Sequence, residues 1–347
     1  MNNSIGEILR ITIFGASHAG EVGITLEGVP AGILLSENLF ASDLERRRPQ
    51  LRGETPRREE DTPIIEGLDA ECRTTGDAVT IRFRNNNRRS GDYSRFEHHP
   101  RPSHADLVQR RKYGEGYDIS GGGMASGRMT VALVAAGVVA KQILRGVEFE
   151  TRLTEVGGCA DEAMFEAIIA EAAGQHDSVG GVVECRVSGV PYSLGEPFFD
   201  SAESVIAHML FSVPGVKGVE FGDGFEGAKR RGSERNDMII NAEGATLTNN
   251  EGGVNGGITN GNDIVVRVAV KPTPSISLEQ RTYDFERGEV APLVVGGRHD
   301  ACIARRAQVV IEAMVALSLA ELRLREGEYG NTSRGFKYIM HRSQGVL

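Results

Sequence analysis

Strand-like and helix-like stretches do not alternate along this chain, and that order constrains the fold more than any single motif does. Residues 9–14 alternate in the manner of a strand and stop at Gly15. Residues 22–34 read as two strands about the turn Val29-Pro30-Ala31-Gly32, and 77–84 alternate as a half-solvated strand should. Further strand-like runs occupy 179–188, 216–221 and 264–271. Ser36 stands where it can cap a helix over 37–47 that ends at Pro49. Other helices are expected at about 130–145, 161–173, 201–211 and 304–326. A doubly wound parallel sheet needs a helix after nearly every strand. This order predicts instead an α+β fold of mixed, mostly antiparallel sheets with packed helices. No low-complexity linker divides the 347 residues, and no short internal repeat is visible.

Several function classes are set aside by what the sequence lacks. No apolar run approaches the ~20 residues needed to span a bilayer. Residues 1–7 carry neither a basic region nor an apolar core, so no secretory signal is expected. Cys72, Cys159, Cys185 and Cys302 are far apart and form no C-x-x-C pair, as in reduced thiols of a cytoplasmic protein. The net charge of −9 argues against general nucleic-acid binding. With no H-E-x-x-H and no paired-cysteine site, no metal is expected.

The segment from Arg101 to Arg128 holds the densest chemistry. Pro102 stiffens the chain before the ionisable His104, and Gly121-Gly122-Gly123 lets backbone approach a ligand closely. The helix after Arg128 turns its N-terminus toward that loop, which favours anions, and Arg128 adds a guanidinium fork. Taken alone, the segment is equally a glycine-rich turn beside a surface histidine.

Other motifs are weaker. Gly15-Ala16-Ser17-His18-Ala19-Gly20 has P-loop glycine spacing, but Glu21-Val22 stands where Lys-Ser/Thr is required, so the triphosphatase reading fails. What remains is Ser17-His18 at a strand end, a place for an acid or base. Gly222-Asp223-Gly224-Phe225-Glu226-Gly227 matches a dinucleotide fingerprint without the amphipathic helix that should follow. Six arginines fall between Arg46 and Arg58, a density that suits a small polyanion, with Glu45, Glu54, Glu59 and Glu60 as partial counter-charges. A Gly/Asn loop over 249–261 suits the phosphate and ring edge of a flavin-sized ligand. Finally, Gly297-Arg298-His299-Asp300 puts a cation, a base and a carboxylate on one turn before a helix.

In this order the blocks resemble the chorismate synthase family. They include Phe14-Gly15 with Ser17-His18, Arg46-Arg47-Arg48-Pro49, Arg89-Ser90 with Asp92-Tyr93, and Arg101-Pro102-Ser103-His104-Ala105-Asp106. Lys112-Tyr113-Gly114, the glycine triplet, Asp177-Ser178-Val179-Gly180-Gly181, Val216-Lys217-Gly218-Val219-Glu220, Lys271-Pro272-Thr273-Pro274-Ser275 and Gly297-Arg298-His299-Asp300 follow. Any one block is weak, but ten in register are highly specific. The resemblance covers about 5–326 and implies one domain over 1–347, with 327–347 as a peripheral tail.

The resemblance further implies a β-α-β sandwich assembled as a homotetramer. Its reaction is a 1,4-anti elimination of phosphate from 5-enolpyruvylshikimate 3-phosphate to chorismate, with reduced FMN as cofactor and NADPH as one source of reductant. It assigns His18 as acid beside the leaving phosphate, His104 beside the flavin ring, and Asp300 to removal of the C6 proton. Ser17, Arg47, Arg52, Arg128 and Arg298 would hold the substrate. FMN would lie against Met124, Ala125, Ser126, Pro214, Gly215, Gly256, Lys271, Pro272, Thr273, Pro274, Ser275 and Arg298.

This chain also departs from the pattern. Ala16 and Ala19 replace a Glu and a Gly, Met124-Ala125 replaces Arg-Ser, Met129 replaces a Glu, and Glu251 takes a small-residue position. The missing arginine and the added glutamate make the expected FMN site less positive. A second reading is a paralogue that keeps the fold and binds ligand or partner without turnover.

Overall fold

The computed structural model describes residues 3–50, 53–55, 59–86, 93–297 and 299–330. A first sheet contains β1 (Ser4–Ile5), β2 (Arg10–Gly15), β3 (Glu21–Glu27), β4 (Ile64–Glu66) and β5 (Val79–Arg84), in the order β1-β2-β3-β5-β4. A second contains β6 (Glu148–Val156), β7 (Gly181–Ser188) and β8 (Val216–Phe221). After the short pair β9 (Val254–Asn255) and β10 (Ile258–Thr259), it is completed by β11 (Ile264–Val270), in the order β6-β7-β11-β8. A last hairpin joins β12 (Gln280–Asp284) to β13 (Glu289–Leu293). Every described strand pairing is antiparallel.

The helices are α1 (Glu37–Arg47), α2 (Asp106–Tyr113), α3 (Thr130–Ile143), α4 (Phe165–Gly174), α5 (Ala202–Phe211), the one-turn α6 (Gly224–Gly227) and α7 (Gly232–Arg235), and α8 (Ala304–Gly330). The architecture is α+β, as the order of elements predicts. Helix α3 packs on the first sheet, α8 on the second, and the two helices pack on each other. Such a middle layer must be apolar on all sides. Accordingly, Thr130 to Ala140 of α3 are buried throughout, as are Val309 to Leu322 of α8. The helices cross closely at Gly137, where an added Cβ would fall 2.3 Å from Cβ of Ala313. Alanine at 137 would overpack this crossing, at a cost of about 1–3 kcal/mol. No described helix is long and apolar enough to cross a membrane.

A small second core of Phe96, Ile119, Leu293 and Val295, with Tyr93 and Tyr117 against it, ties the 93–125 segment to the last hairpin. It fixes the chain just before the glycine triplet and just before the turn that carries Asp300.

Two sequence expectations change. The second strand expected within 22–34 reduces to one bridge between Leu34 and Arg73, because Gly32 and Ile33 give their amides to Thr74 instead. Ser36 has extended N-cap geometry, but its hydroxyl makes no capping bond. The tail beyond Gly330 lies outside the described residues.

Candidate active site

Two histidines far apart in sequence converge on consecutive glycines. His18 lies in the β2–β3 turn, which Asn85 secures by donating to the carbonyls of Ala16 and Ala19 at 3.2 and 2.9 Å. Gly121 has φ +60°, and a Cβ there would stand 2.4 Å from Cε1 of His18 and 2.7 Å from Oγ of Ser17. The missing side chain is therefore what admits the imidazole. A Cβ on Gly122 would lie 3.4 Å from Cε1 of His104. Tyr93 meets His18 edge-on, with ring centroids 5.0 Å apart.

His104 is oriented from behind. Its Nδ1 lies 2.7 Å from Asp106 Oδ1, although the ring is not turned for a linear hydrogen bond. Asp106 begins α2 and is fully enclosed; Arg101 grips it through Nε at 2.8 Å and Nη2 at 2.7 Å. Burial alone would raise the Asp106 pKa, but the hydrogen bonds from Arg101, with the His104 ring beside it, hold it well below the carboxylate range. The fixed charge anchors the imidazole and leaves Nε2 facing the cavity side, beside Gly122.

The arginine cluster divides. Arg46 runs along the helical layer to the buried Glu312, at 2.8 and 2.7 Å, and Arg48 pairs with Glu45 at 2.7 Å. Arg47 turns inward and is buried. Its Nη1 reaches Asp61 Oδ2 at 3.3 Å, Nε donates to Thr130 Oγ1 at 3.0 Å, and Nη2 donates to the Gly127 carbonyl at 3.0 Å. Burial pushes the Arg47 pKa down to about 9, opposed chiefly by the Asp61 charge. Arg128 is equally engaged, through Nη1 to Asp61 and through Nε to Asn85 Oδ1 at 2.9 Å. Neither arginine is an open fork, as the sequence suggested for Arg128.

Asp300 is also held. Its Oδ1 accepts the Thr55 amide at 2.9 Å, and Arg306 Nη1 lies 3.0 Å from Oδ2. Nearby, Lys271 Nζ donates to the Ser103 carbonyl at 2.8 Å, and its amide to the Gly215 carbonyl at 2.9 Å. Burial, with Lys217 adding repulsion, lowers the Lys271 pKa. Burial likewise lowers that of His299.

These groups line one cavity of about 770 Å³. Of the expected residues it brings together Ser17, His18, Arg47, His104, Met124, Ala125, Ser126, Arg128, Pro214, Gly215, Lys271, Thr273, Pro274, Ser275 and Asp300. Pro272 does not line it, and Gly256 lies at the β9–β10 turn away from it. Arg52, Arg298 and the block at 87–92 lie outside the described residues. Asp61, Arg101 and Arg306 also line the cavity. Asp61 had a faint signal in the acidic run beside the arginines; Arg306 had none beyond its place six residues after Asp300, in the first turn of α8.

The sequence profile described as chorismate synthase matches residues 9–324. The chain belongs to the chorismate synthase family. The chorismate synthase of Chitinophaga pinensis is 52% identical over 326 residues, which span 93% of this chain and 97% of that one. That of Thermococcus gammatolerans is 43% identical over 345 residues, 92% of this chain and 97% of the relative. A solved structure titled "Crystal Structure of Chorismate Synthase" superposes with a TM-score of 0.71 at 28% identity, covering 93% of each chain. The family likeness thus spans both sheets, the helical layer and every wall of the cavity.

Among the described residues no group of three or more His, Cys, Asp or Glu side chains is placed to hold a metal ion. The four cysteines are unpaired with one another.

Proposed function

We propose that this chain is a chorismate synthase that eliminates phosphate from 5-enolpyruvylshikimate 3-phosphate with reduced FMN as cofactor. The observation that carries the reading is the meeting of His18, His104, Asp300 and the Arg47–Arg128 pair around one cavity that Gly121 also lines. Its volume lies toward the top of the range of small-molecule sites, roughly 300–1,000 Å³, as a cofactor beside a substrate requires. The polypeptide near Ser126, Gly215 and Lys271 offers small residues and a cation suited to a flavin and its phosphate. Reduced FMN would supply electron density to the substrate while the carbon–oxygen bond breaks.

The chain's own residues divide the remaining work. Arg47 and Arg128 hold the departing phosphate, and His18 donates a proton to it. His104, set by Asp106, would present Nε2 to a bound flavin. Asp300, kept in place by Arg306 and the Thr55 amide, receives the C6 proton.

We place the protein in the cytoplasm as a homotetramer, with NADPH or an external donor keeping the flavin reduced. Support for assembly comes from exposed Phe198, Phe199 and Ile239, apolar surface that further copies would cover. Anaerobic incubation of the protein with substrate and chemically reduced FMN tests the reaction. Chorismate should appear with one equivalent of phosphate; a substrate left intact would overturn the assignment.

A further inference from the structure

Asp61 sits where an anion-binding cavity should have no carboxylate. It lies between α1 and β4, its side chain is 3% exposed, and it contacts Arg47 and Arg128 at the same time. Both contacts use the same atom of each arginine, Nη1. The remaining nitrogens donate to uncharged groups. Nε and Nη2 of Arg47 go to Thr130 and the Gly127 carbonyl; those of Arg128 go to Asn85 and the Arg84 carbonyl. Among the described residues, Asp61 is thus the charged acceptor shared by two guanidinium groups that line the cavity.

Two oxygens on one carboxylate bridging two guanidinium groups have the charge and spacing of two phosphate oxygens. We infer that Asp61 is a positioning residue for the phosphate site: in the free enzyme it fills both Nη1 donors, and it yields them to the substrate's phosphate. The inference rests on the phosphate-eliminating function proposed above. Asp61 holds the arginines at the right separation while no ligand is bound, so their mutual repulsion does not splay them. It also competes with phosphate, so that the product anion is released rather than trapped between two buried cations. Burial of Arg47 makes that competition matter, because the guanidinium needs an anion beside it at all times.

The test is inorganic phosphate binding, by titration calorimetry and by thermal shift, at constant ionic strength in chloride. Wild type is compared with Asp61→Asn. The variant should bind phosphate at least about tenfold more tightly, and phosphate should raise its melting temperature more than that of wild type. In turnover it should show a lower KM and a lower kcat together, since the phosphate then leaves slowly. An Asp61→Asn protein that folds only in phosphate is the same result in a stronger form. Equal or weaker phosphate binding by the variant overturns the inference. So does a variant that fails to fold even in phosphate, which would make Asp61 a structural counter-ion alone. Wild-type turnover is read separately: chorismate formation with no phosphate gain in the variant sinks only the role of Asp61.

Discussion

Arg306 places its Nη1 3.0 Å from one oxygen of Asp300 and 3.3 Å from the other, while its Nε donates to the Arg47 carbonyl at 2.9 Å. One side chain from the first turn of α8 thus fixes the carboxylate expected to take a proton and the end of the helix that delivers Arg47. Arg306→Met should leave the protein folded and lower kcat by about 10²-fold, because a carboxylate about 1 Å out of place is a poor base. Arg306→Lys should fall between. Steady-state kinetics under anaerobic conditions decide it: an unchanged kcat in the Met variant would show that Asp300 needs no such holding.

Gly121 should tolerate no side chain. At φ +60°, with the His18 ring 2.4 Å from a built Cβ, Gly121→Ala must push the imidazole away or strain the loop. The expected outcome is loss of turnover with little change in melting temperature. Activity near wild type would mean that His18 need not stay against the triplet.

Glu312 tests the helical layer. Buried in α8, it binds Arg46, Lys141 and Thr151 from three other elements. Burial would raise its pKa, but Arg46 and Lys141 bring it down to about 2 from an ordinary 4.5. Because the folded value is the lower one, this stabilisation is complete above pH 4.5 and is lost as pH falls toward 2. Glu312→Gln should therefore cost about 3–5 kcal/mol at pH 7, leaving two cations short of a partner. The gap in denaturation midpoint between variant and wild type should narrow below pH 4.5. A gap that is constant from neutral to acid pH would contradict the pairing.

Met124 gives a prediction on the cofactor side. It lines the cavity where the family pattern has an arginine, and its sulfur accepts from Asn3 at 3.7 Å. Met124→Arg should tighten FMN binding by about tenfold, through a charge-assisted contact to phosphate. Fluorescence titration with oxidised FMN reads it directly, and weaker or equal affinity would displace the flavin phosphate from this wall.

Much of this was legible in the sequence, for identifiable reasons. Helices α1, α3, α5 and α8 announce themselves by apolar content and by punctuation such as Pro49, and α3 is apolar enough that only a middle layer could hold it. Strand β6 was open to the same reasoning, since Phe149, Thr151 and Leu153 alternate with charged residues. Its bulge at Leu153/Glu155 and its many charges obscure the period. At the site, His18, His104 and Asp300 could be named because each belongs to a short motif. Their partners could not. That Arg46 would turn to Glu312 and Arg47 to Asp61 depends on how α1 is rolled against α3 and α8, which no local pattern encodes. The sequence suggested Glu45, Glu54, Glu59 and Glu60 as counter-charges; Glu45 does hold Arg48, but the decisive carboxylate is the next acidic residue, Asp61.

On the proposed function, two histidines on one glycine triplet perform the chemistry of the cavity. The most direct measurement is anaerobic chorismate formation by His18→Ala and His104→Ala, with melting temperature recorded beside it. Removal of a general acid or a positioned imidazole costs on the order of 10²–10⁴ in rate. Each variant should lose activity on that scale while melting close to wild type. Variants that melt early yet turn over normally in the cold would contradict the claim and reduce both histidines to packing.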